Sequence, residues 1–520
     1  MRKQCVLVVA ALAVLAVTAG PAWAQDAKAV IQAASKAMGS LKSVQITGTG
    51  WNAGVGQSFS PADDWPRFEV TRYARTIDFE AGTSREEFTR RQGNNPPRGG
   101  GGTPIQGEQQ QVFLVSGSTA WNIVDGKPQP QPGLYLAGVP VAEFRQLDIL
   151  LTPHGFLREA AKAANPTAIS LTLGSPTGAV TPNGKQTLVS FTMMGKYKVV
   201  GTFDDQNLLA MVHTWVPNPV YGDMLYELRY TNYKDFGGVK YPTTLHIHQG
   251  DPRLAVAHNS MEITLTNVQP NVAVPAIPVP AEAQKATAPP VRAESQKLAD
   301  GVWLVAGGTH NSLAVDFRDF VTVIEAPLNE ERSLAVLAEV GRLIPNKPIR
   351  YVVNTHHHFD HSGGLRTYMA QGVTVVTHQE NKEFYENVHF SPGMRAMMPD
   401  RFSAYYPYFS GGRRPLPIET VNQKYVISDG VRVLELHPVQ GLNHVDGMLV
   451  AYFPKERILV NADLYSPPAQ GAQAPMPNAS MRTLAANIRR LRLDVERHVP
   501  IHGQPGPADQ FMKIVGPATN

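Results

Sequence analysis

Residues 354–364 read Asn-Thr-His-His-His-Phe-Asp-His-Ser-Gly-Gly and hold the most concentrated set of potential metal ligands in the chain. The run before them, residues 350–354, is typical of a buried strand, and Gly363-Gly364-Leu365 opens a predicted helix. The cluster therefore lies on a strand-to-helix loop, where functional side chains are often held. Imidazole nitrogens and carboxylate oxygens both bind zinc at about 2 Å.

The spacing within this motif, His-x-His-x-Asp-His, divides the ligands into two pairs. Side chains at i and i+2 of an extended loop point the same way, so His356 and His358 can bind one ion. Asp360 and His361 follow the turn and can face a second ion. His357 would point to the opposite side, which indicates a supporting role.

The motif resembles the signature of the metallo-β-lactamase superfamily, and the likeness covers roughly residues 296–520. Three more residues stand where this resemblance expects ligands, namely His444, Asp463 and His502. Each lies at a strand end or a glycine-containing turn. The resemblance assigns His356, His358 and His444 to a first zinc ion, Asp360, His361 and His502 to a second, and Asp463 to a position that bridges or approaches both.

The resemblance implies an α/β fold for residues 296–520, the αββα sandwich, with metals at one edge of its sheets. The alternation of strands and helices in this half agrees with that expectation. Strands are predicted at 301–306, 312–317, 320–325, 350–354, 374–376, 431–436, 448–453 and 457–461, and helices at 330–343 and around Leu484, Ile488 and Leu491.

The resemblance also implies a chemistry, hydrolysis by a metal-bound hydroxide. Two zinc ions roughly 3.5–4 Å apart can share a hydroxide, because they lower the pKa of bound water to near 7. A zinc ion would also polarise a substrate carbonyl and stabilise the oxyanion. Asp360, which could orient the nucleophile or move a proton, and Asp463 are the candidate catalytic residues. Iron or manganese could occupy the same ligands.

Three other features of this half have two interpretations each. His310 lies on a turn that lines the site in relatives, and could touch substrate or a ligand or be structural. Glu325, at a predicted strand end, could hydrogen-bond a ligand histidine or be a solvated carboxylate. The insertion at residues 383–425, rich in aromatic residues and methionine, could cover the site and select a hydrophobic substrate, or pack as an ordinary subdomain.

The first residues predict export. Residues 1–3 are basic, residues 6–17 are apolar but too short to cross a bilayer, and Ala22-Trp23-Ala24 is a small-x-small cleavage site. We expect a signal peptide over residues 1–24 and a periplasmic location. The only cysteine, Cys5, lies inside this segment, so the mature chain would have neither a disulfide nor a thiolate ligand.

The charge balance excludes some partners. The formal net charge of +4 includes Arg2 and Lys3, which leaves the mature chain near +2, almost neutral for its length. No basic stretch indicates a nucleic-acid footprint, and no later stretch is long and apolar enough for a transmembrane helix. We expect a small-molecule substrate, and the oligomeric state stays open.

Residues 270–295 are rich in proline and alanine and predict a linker between two domains. Residues 25–269 predict an α+β domain with a large antiparallel sheet. The predicted elements are helices at 27–38 and 144–164, strands at 44–47, 187–191, 225–230 and 241–247, and a flexible loop at 91–107. A helix followed by an antiparallel meander resembles the half-barrel domains of periplasmic lipoprotein carriers, which implies an apolar face for a lipid. A spacer or dimerisation module is the alternative.

Three functions remain open at this stage. The first is an exported zinc-dependent hydrolase of an ester, lactone, thioester or amide bond. The second is a periplasmic β-lactamase with only His and Asp ligands, although a fused N-terminal domain does not resemble a compact β-lactamase. The third is a lipid-binding or scaffold protein with a vestigial metal domain, against which the complete ligand set argues.

Overall fold

The computed structural model describes residues 23–172, 184–390, 395–405, 416–469 and 471–516. A fourteen-stranded sheet is followed by sheets of seven and six strands, and two short strands form a separate pair. Apart from its last two residues, the predicted signal peptide lies outside the described residues. No described helix is long and apolar enough to cross a membrane.

The N-terminal domain is built around the fourteen-stranded sheet, in which every neighbouring pair is antiparallel. The predicted strands all fall inside longer observed ones. The elements are β1 (Trp23–Gln25), α1 (Ala27–Met38), β2 (Ser43–Ala53), β3 (Arg67–Asp78), β4 (Thr83–Arg91), β5 (Glu108–Ser116), β6 (Thr119–Val124), β7 (Lys127–Pro130), β8 (Leu134–Tyr135), β9 (Val139–Pro140), α2 (Val141–Leu151), α3 (Pro153–Lys162), β10 (Thr167–Thr172), β11 (Lys185–Met193), β12 (Tyr197–Phe203), β13 (Leu209–Asn218), β14 (Gly222–Asp235), β15 (Lys240–Gln249) and β16 (Asn259–Pro270).

The first predicted helix has the expected bounds, but the single helix predicted over residues 144–164 is wrong. Two helices, α2 and α3, occupy this region and meet at Thr152, whose ψ of 157° is not helical. Proline disfavours the helical conformation of the residue before it, so Pro153 ends α2 and begins α3. The Thr152 hydroxyl then caps α3 by accepting a hydrogen bond from the Gly155 amide at 3.3 Å.

The three helices cover one face of the large sheet. Ile31 of α1, Leu151 of α2 and Phe156 of α3 are buried in one core with strand residues such as Val189. A cavity within this packing, between α2 and the sheet, measures about 20 Å³, which is room for roughly one water molecule. In the described residues, the protein's own helices therefore fill the face that a half-barrel carrier would offer to a lipid.

The C-terminal domain contains the other two sheets. The strands from β20 to β23 of the seven-stranded sheet are parallel, and the six-stranded sheet is mainly antiparallel. The elements are α4 (Ala281–Lys285), β17 (Glu294–Ala299), β18 (Val302–Ala306), β19 (Ser312–Asp316), β20 (Val321–Ile324), α5 (Glu330–Leu343), β21 (Ile349–Val353), α6 (Phe359–Ser362), α7 (Leu365–Met369), β22 (Thr374–His378), a 3-10 turn (Gln379–Asn381), α8 (Lys382–Phe384), a π-helical turn (Tyr385–His389), α9 (Arg401–Tyr405), β23 (Ile418–Val421), β24 (Tyr425–Ser428), β25 (Val433–Pro438), β26 (Leu449–Phe453), β27 (Ile458–Asn461), α10 (Ala479–Leu491), β28 (Arg497–Pro500), β29 (Gly506–Pro507) and α11 (Ala508–Val515).

These sheets and helices form the predicted αββα layers. Residues of both sheets, among them Val353 and Val460, share a core that also holds Leu484 of α10. The opposite face of the seven-stranded sheet packs against α5 through residues such as Val336. Both sheets are thus buried on two sides, which agrees with their nearly continuous apolar strands.

The two domains share a hydrophobic core. Trp65 and Val220 of the N-terminal domain are buried in the same cluster as Val352 and Leu365. The ring of Phe359, in the metal-ligand motif, packs edge-on against Trp65 and Tyr221 with ring centroids 6.5 and 5.0 Å apart. The predicted linker segment itself contains α4 and packs against the N-terminal domain.

Candidate metal centre

The motif loop begins where β21 ends, at the carboxyl edge of the parallel strands. In α/β sheets ligands commonly bind outside this edge. The Asn354 amide nitrogen donates to the Val376 carbonyl at 2.9 Å, which ties the loop to the neighbouring strand. His356, His358 and His361 are fully buried, so the loop is part of the protein core.

The structure brings four predicted ligands together as a first group, consisting of His356, His358, His444 and Asp463, whose ligand atoms all lie within 4.8 Å of one another. His356 Nε2 and His358 Nδ1 are 3.0 Å apart. Asp463 Oδ2 lies 3.2 Å from the Nε2 atoms of both His356 and His444. Two nitrogens bound tetrahedrally at about 2.0–2.1 Å would be roughly 3.3 Å apart, so this spacing suits one ion.

A second group lies beside the first and consists of His310, Asp360, His361 and His502. The Nε2 atoms of His361 and His502 are 3.2 Å apart. His310 Nε2 lies 3.2 Å from Asp360 Oδ2. The sequence leaves His310 two interpretations, contact with substrate or a ligand or a structural role, and the structure brings it into the second group.

Asp463 joins the two groups. Its Oδ2 approaches His361 Nε2 at 3.0 Å as well as the first group, and its Oδ1 lies 3.0 Å from His502 Nε2. The residue follows β27 with a φ of +58°, a left-handed conformation that is uncommon outside glycine. The backbone thus turns sharply at the point where the carboxylate enters between the imidazoles.

Hydrogen bonds hold one ring nitrogen of several histidines and leave the other facing the centre. His361 Nδ1–H donates to the buried Glu325 carboxylate at 3.2 Å, and His502 Nδ1–H donates to the Thr309 carbonyl at 3.1 Å. The Thr355 hydroxyl donates to Glu325 at 2.6 Å, so it accepts from His356 Nδ1–H at 3.0 Å. Partners of this kind fix the tautomer that a metal requires.

The electrostatics favour metal binding. Burial lowers the pKa of His356 to about 3, so its imidazole is neutral and able to bind a metal at neutral pH. Burial opposes ionisation of Asp463, but the imidazoles around it, His361 first, hold the pKa of its carboxyl well below its usual range. In return, although burial opposes it, Asp463 and Asp360 raise the pKa of His361. A divalent cation would replace the proton that this cluster otherwise shares.

The donor atoms fit a metal on a further observation. His444 Nε2 is buried and has no hydrogen-bond partner among the described residues, although it faces the Asp463 carboxylate. A buried nitrogen without a partner is costly unless a ligand satisfies it. Imidazole and carboxylate donors suit zinc, and they also bind iron and manganese.

The structure also bears on the predictions for His357 and for the insertion at residues 383–425. His357 stays outside both groups and contacts the Ser58 hydroxyl at 3.1 Å, which agrees with a supporting role. In the insertion, the described Phe384 and Tyr385 are buried in the core, and the Tyr385 hydroxyl donates to Asn354 behind the motif loop. This part packs as a subdomain, whereas residues 391–394 and 406–415 lie outside the described residues.

Comparison with known proteins finds matches to the C-terminal part of the chain. Residues 305–502 match the model of the metallo-beta-lactamase superfamily. A curated relative, the alpha subunit of 2,4-dinitroanisole O-demethylase from Nocardioides sp. strain JS1661, is 24% identical over 204 residues. The match covers 39% of this chain and 55% of that protein, so this chain spans about half the length of its relative.

Solved structures that match this chain include a metallo-beta-lactamase from Pontibacter korlensis, at 19% identity and a TM-score of 0.32, covering 43% of this chain and 97% of that one. Another is a metallo beta lactamase from Hirschia baltica, at 18% identity and a TM-score of 0.31, covering 44% of this chain and all of that one. Residues 305–502, which carry both ligand groups, belong to the metallo-β-lactamase superfamily.

Proposed function

We propose that this protein is an exported, metal-dependent hydrolase with two divalent ions per chain, most readily zinc. The observation that carries the proposal is the Asp463 carboxylate, which touches imidazoles of both ligand groups. Two adjacent donor sets joined by one carboxylate are the arrangement that a two-metal hydrolase needs. Export rests on the N-terminal residues and is part of the same proposal.

The residues of the chain have distinct tasks in this proposal. His356, His358 and His444 hold one ion, and Asp360, His361 and His502 hold the other with His310 beside them. When bound, such ions supply Lewis acidity and lower the pKa of bound water to near 7. Asp463 contacts residues of both donor sets and keeps them together, and Asp360 is the residue proposed to orient the attacking water or to accept its proton.

Substrate reaches the centre from the side of the second ligand group. The side chains of Asp360 and His502 are 34% and 31% exposed, whereas those of His356 and His361 are fully buried. An incoming carbonyl group therefore meets Asp360 and His502 first. This open side sets the direction from which a small molecule would enter.

The proposed substrate is a small molecule with an ester, lactone, thioester or amide bond. A β-lactam is one such amide, and a site made only of His and Asp donors remains compatible with it. The name of the Nocardioides relative adds an aryl methyl ether to the bonds worth testing. Lipid carriage has less support, because helices fill the face of the sheet that would bind a lipid.

The test combines metal analysis with a substrate panel. Mature protein is analysed by mass spectrometry and then assayed with nitrocefin, aryl esters, lactones, thioesters and 2,4-dinitroanisole, before and after chelation. We expect about two metal ions per chain and a hydrolytic activity that chelation abolishes and zinc restores. Protein that binds no metal, or whose hydrolysis survives complete metal removal, would overturn the proposal.

A further inference from the structure

A short segment of the N-terminal domain, Gly56–Ser58, lies directly on the metal-ligand motif. The Phe359 amide donates to the Gly56 carbonyl at 3.2 Å, at the start of α6. Each of the next two residues contacts a predicted metal ligand. This segment lies some 300 residues before the motif and outside residues 305–502, which match the superfamily.

Ser58 determines which nitrogen of His358 is free. His358 Nε2 lies 2.9 Å from the Ser58 carbonyl oxygen. A carbonyl oxygen can only accept, so Nε2 carries the hydrogen and Nδ1 keeps its lone pair. Nδ1 is the atom that faces His356 Nε2 at 3.0 Å in the first ligand group. The N-terminal domain thus supplies the partner that fixes the tautomer of this ligand.

Gln57 orients Asp360, a carboxylate of the second ligand group. Its Nε2 donates to Asp360 Oδ1 at 2.8 Å, and its Oε1 accepts from the Gly101 amide at 3.0 Å. The second bond fixes the orientation of the side-chain amide, so that the nitrogen faces the carboxylate. With Oδ1 held by Gln57, Asp360 turns Oδ2 towards His310 and the metal centre.

The glycine-rich loop holds this segment in place. The Gly100 amide donates to the Gln57 carbonyl at 2.9 Å, and the Gly99 amide donates to the carbonyl of Asn443, next to His444, at 2.8 Å. A Cβ atom on Gly100 would collide with Gln57 Oε1 and lie 2.8 Å from His358 Cε1. Gly99 and Gly100, within the loop predicted to be flexible, are therefore packed closely beside the first ligand group.

We propose that Gly56–Ser58 is a positioning element of the metal centre, in which Gln57 sets Asp360 and the Ser58 carbonyl sets His358. The inference rests on the proposed metal centre and adds that the superfamily domain does not complete its own site. The N-terminal domain then acts as a structural part of the catalytic centre. It is neither a spacer nor a separate carrier.

The first test uses full-length Gln57→Ala and Gln57→Glu, with Gln110→Ala as a control on the exposed end of β5. The affinity for each of the two zinc ions is measured by chelator competition. We expect one of the two ions, that of the second ligand group, to lose about 10–100-fold in affinity in both Gln57 variants, the range for loss of a supporting partner. Gln110→Ala should match the wild type, and the metal-free variants should unfold at the wild-type temperature.

The glutamate variant separates positioning from space filling. Gln57→Glu keeps the shape of the side chain but places an oxygen where the nitrogen donated to Asp360. If Gln57 only filled space, Gln57→Glu would bind both ions with wild-type affinity, and that result would overturn the proposal. Wild-type affinity in Gln57→Ala would overturn it as well, while metal-dependent hydrolysis by the wild type would leave the proposed function standing.

A second variant tests the His358 contact. Gly100→Ala should displace the segment and lower the affinity for the ion of the first group, also by about 10-fold or more. Gly133→Ala is the control, because an added Cβ there meets no atom within 4 Å. Unchanged binding of both ions in Gly100→Ala would contradict the role of Ser58. A wild-type protein without metal would overturn both this inference and the proposed function.

Discussion

Two carboxylates of the centre stand at strand ends in an unusual backbone conformation. Glu325 and Asp463 have φ values of +71° and +58°, in the left-handed region that L-residues other than glycine rarely adopt. In each case the left-handed residue turns the chain so that its carboxylate points into the protein interior, where it contacts ligand histidines such as His361. Backbone strain of this kind persists where the surrounding structure holds it, and it concentrates at functional sites.

Glu325 should support the second metal ion without touching it. Its carboxylate is fully buried and accepts hydrogen bonds from Thr355 and from His361 Nδ1–H. In Glu325→Gln, an NH₂ group that cannot accept a hydrogen bond replaces one carboxylate oxygen. We expect the affinity for an ion at His361 to fall about 10–100-fold, because the support of this histidine is weakened. Chelator competition measures the change. Glu435→Gln, at another histidine-bound glutamate, is the control, and equal behaviour of the two variants would contradict this role.

Loss of a direct ligand should cost more than loss of a supporting residue. His358→Ala removes a buried nitrogen of the first group. We expect one ion fewer per chain by mass spectrometry and a fall in kcat greater than the roughly 10–100-fold expected for a supporting residue. His258→Ala removes a histidine that belongs to neither group and should keep both ions. A His358→Ala protein with two ions and full activity would rule out this ligand.

At the level of elements, an ion pair joins the insertion to α7, the helix that follows the motif. Asp400, just before α9, forms a buried ion pair with Arg366 of α7, in which Arg366 Nη2 and Asp400 Oδ1 are 3.1 Å apart. Arg395 joins the same carboxylate at 3.5 Å and also donates to the Val220 carbonyl of the N-terminal domain at 3.0 Å. Through Arg366 and Arg395, this one acidic residue connects the insertion, α7 and the N-terminal domain.

This ion pair predicts a pH-dependent stability. Burial opposes ionisation of Asp400, but Arg366 and Arg395 lower the pKa of its carboxyl to about 2. A depressed pKa contributes stability above the unfolded value, near 4, and the contribution is lost as pH falls towards 2. Asp400→Asn should therefore lower the free energy of unfolding by about 2 kcal/mol at pH 7. Urea unfolding at several pH values should show the difference from wild type narrowing below pH 4, and a constant difference would contradict this account.

At the level of the whole molecule, the N-terminal domain and the superfamily domain behave as one packed unit. They share the cluster that contains Trp65 and Phe359, and the N-terminal segment Gly56–Ser58 reaches the metal ligands. Interfaces between domains that are apolar and well packed restrict relative motion. The position of the motif loop therefore depends on both domains.

The shared core predicts coupled unfolding of the two domains. Trp65 is 2% exposed and packs on Phe359, so Trp65→Ala should lower the free energy of unfolding by about 3–5 kcal/mol. Thermal unfolding should show one transition in which loss of metal and loss of N-terminal structure coincide. Leu254→Ala, at a side chain 47% exposed, should change stability by less than about 0.5 kcal/mol. Separate transitions for the two domains would contradict the coupling.

The sequence by itself determined what depends on local pattern. The helix predicted over residues 330–343 has the observed bounds of α5, because its apolar spacing and Asn329 cap are local features. The residues of the His-x-His-x-Asp-His motif meet where expected, because a short loop on one strand leaves them few other arrangements. The superfamily resemblance added His444, Asp463 and His502, which the fold brings to the same edge.

Only the tertiary structure decided which distant residues complete the centre. His310 joins the second ligand group, and Gln57 and Ser58 reach the ligands from another domain, 303 and 300 residues away along the chain. No periodicity or spacing encodes such contacts, since they arise when separately formed elements pack together. The same packing placed α1–α3 over the sheet and closed the face that the pattern of strands alone would have left open to a ligand.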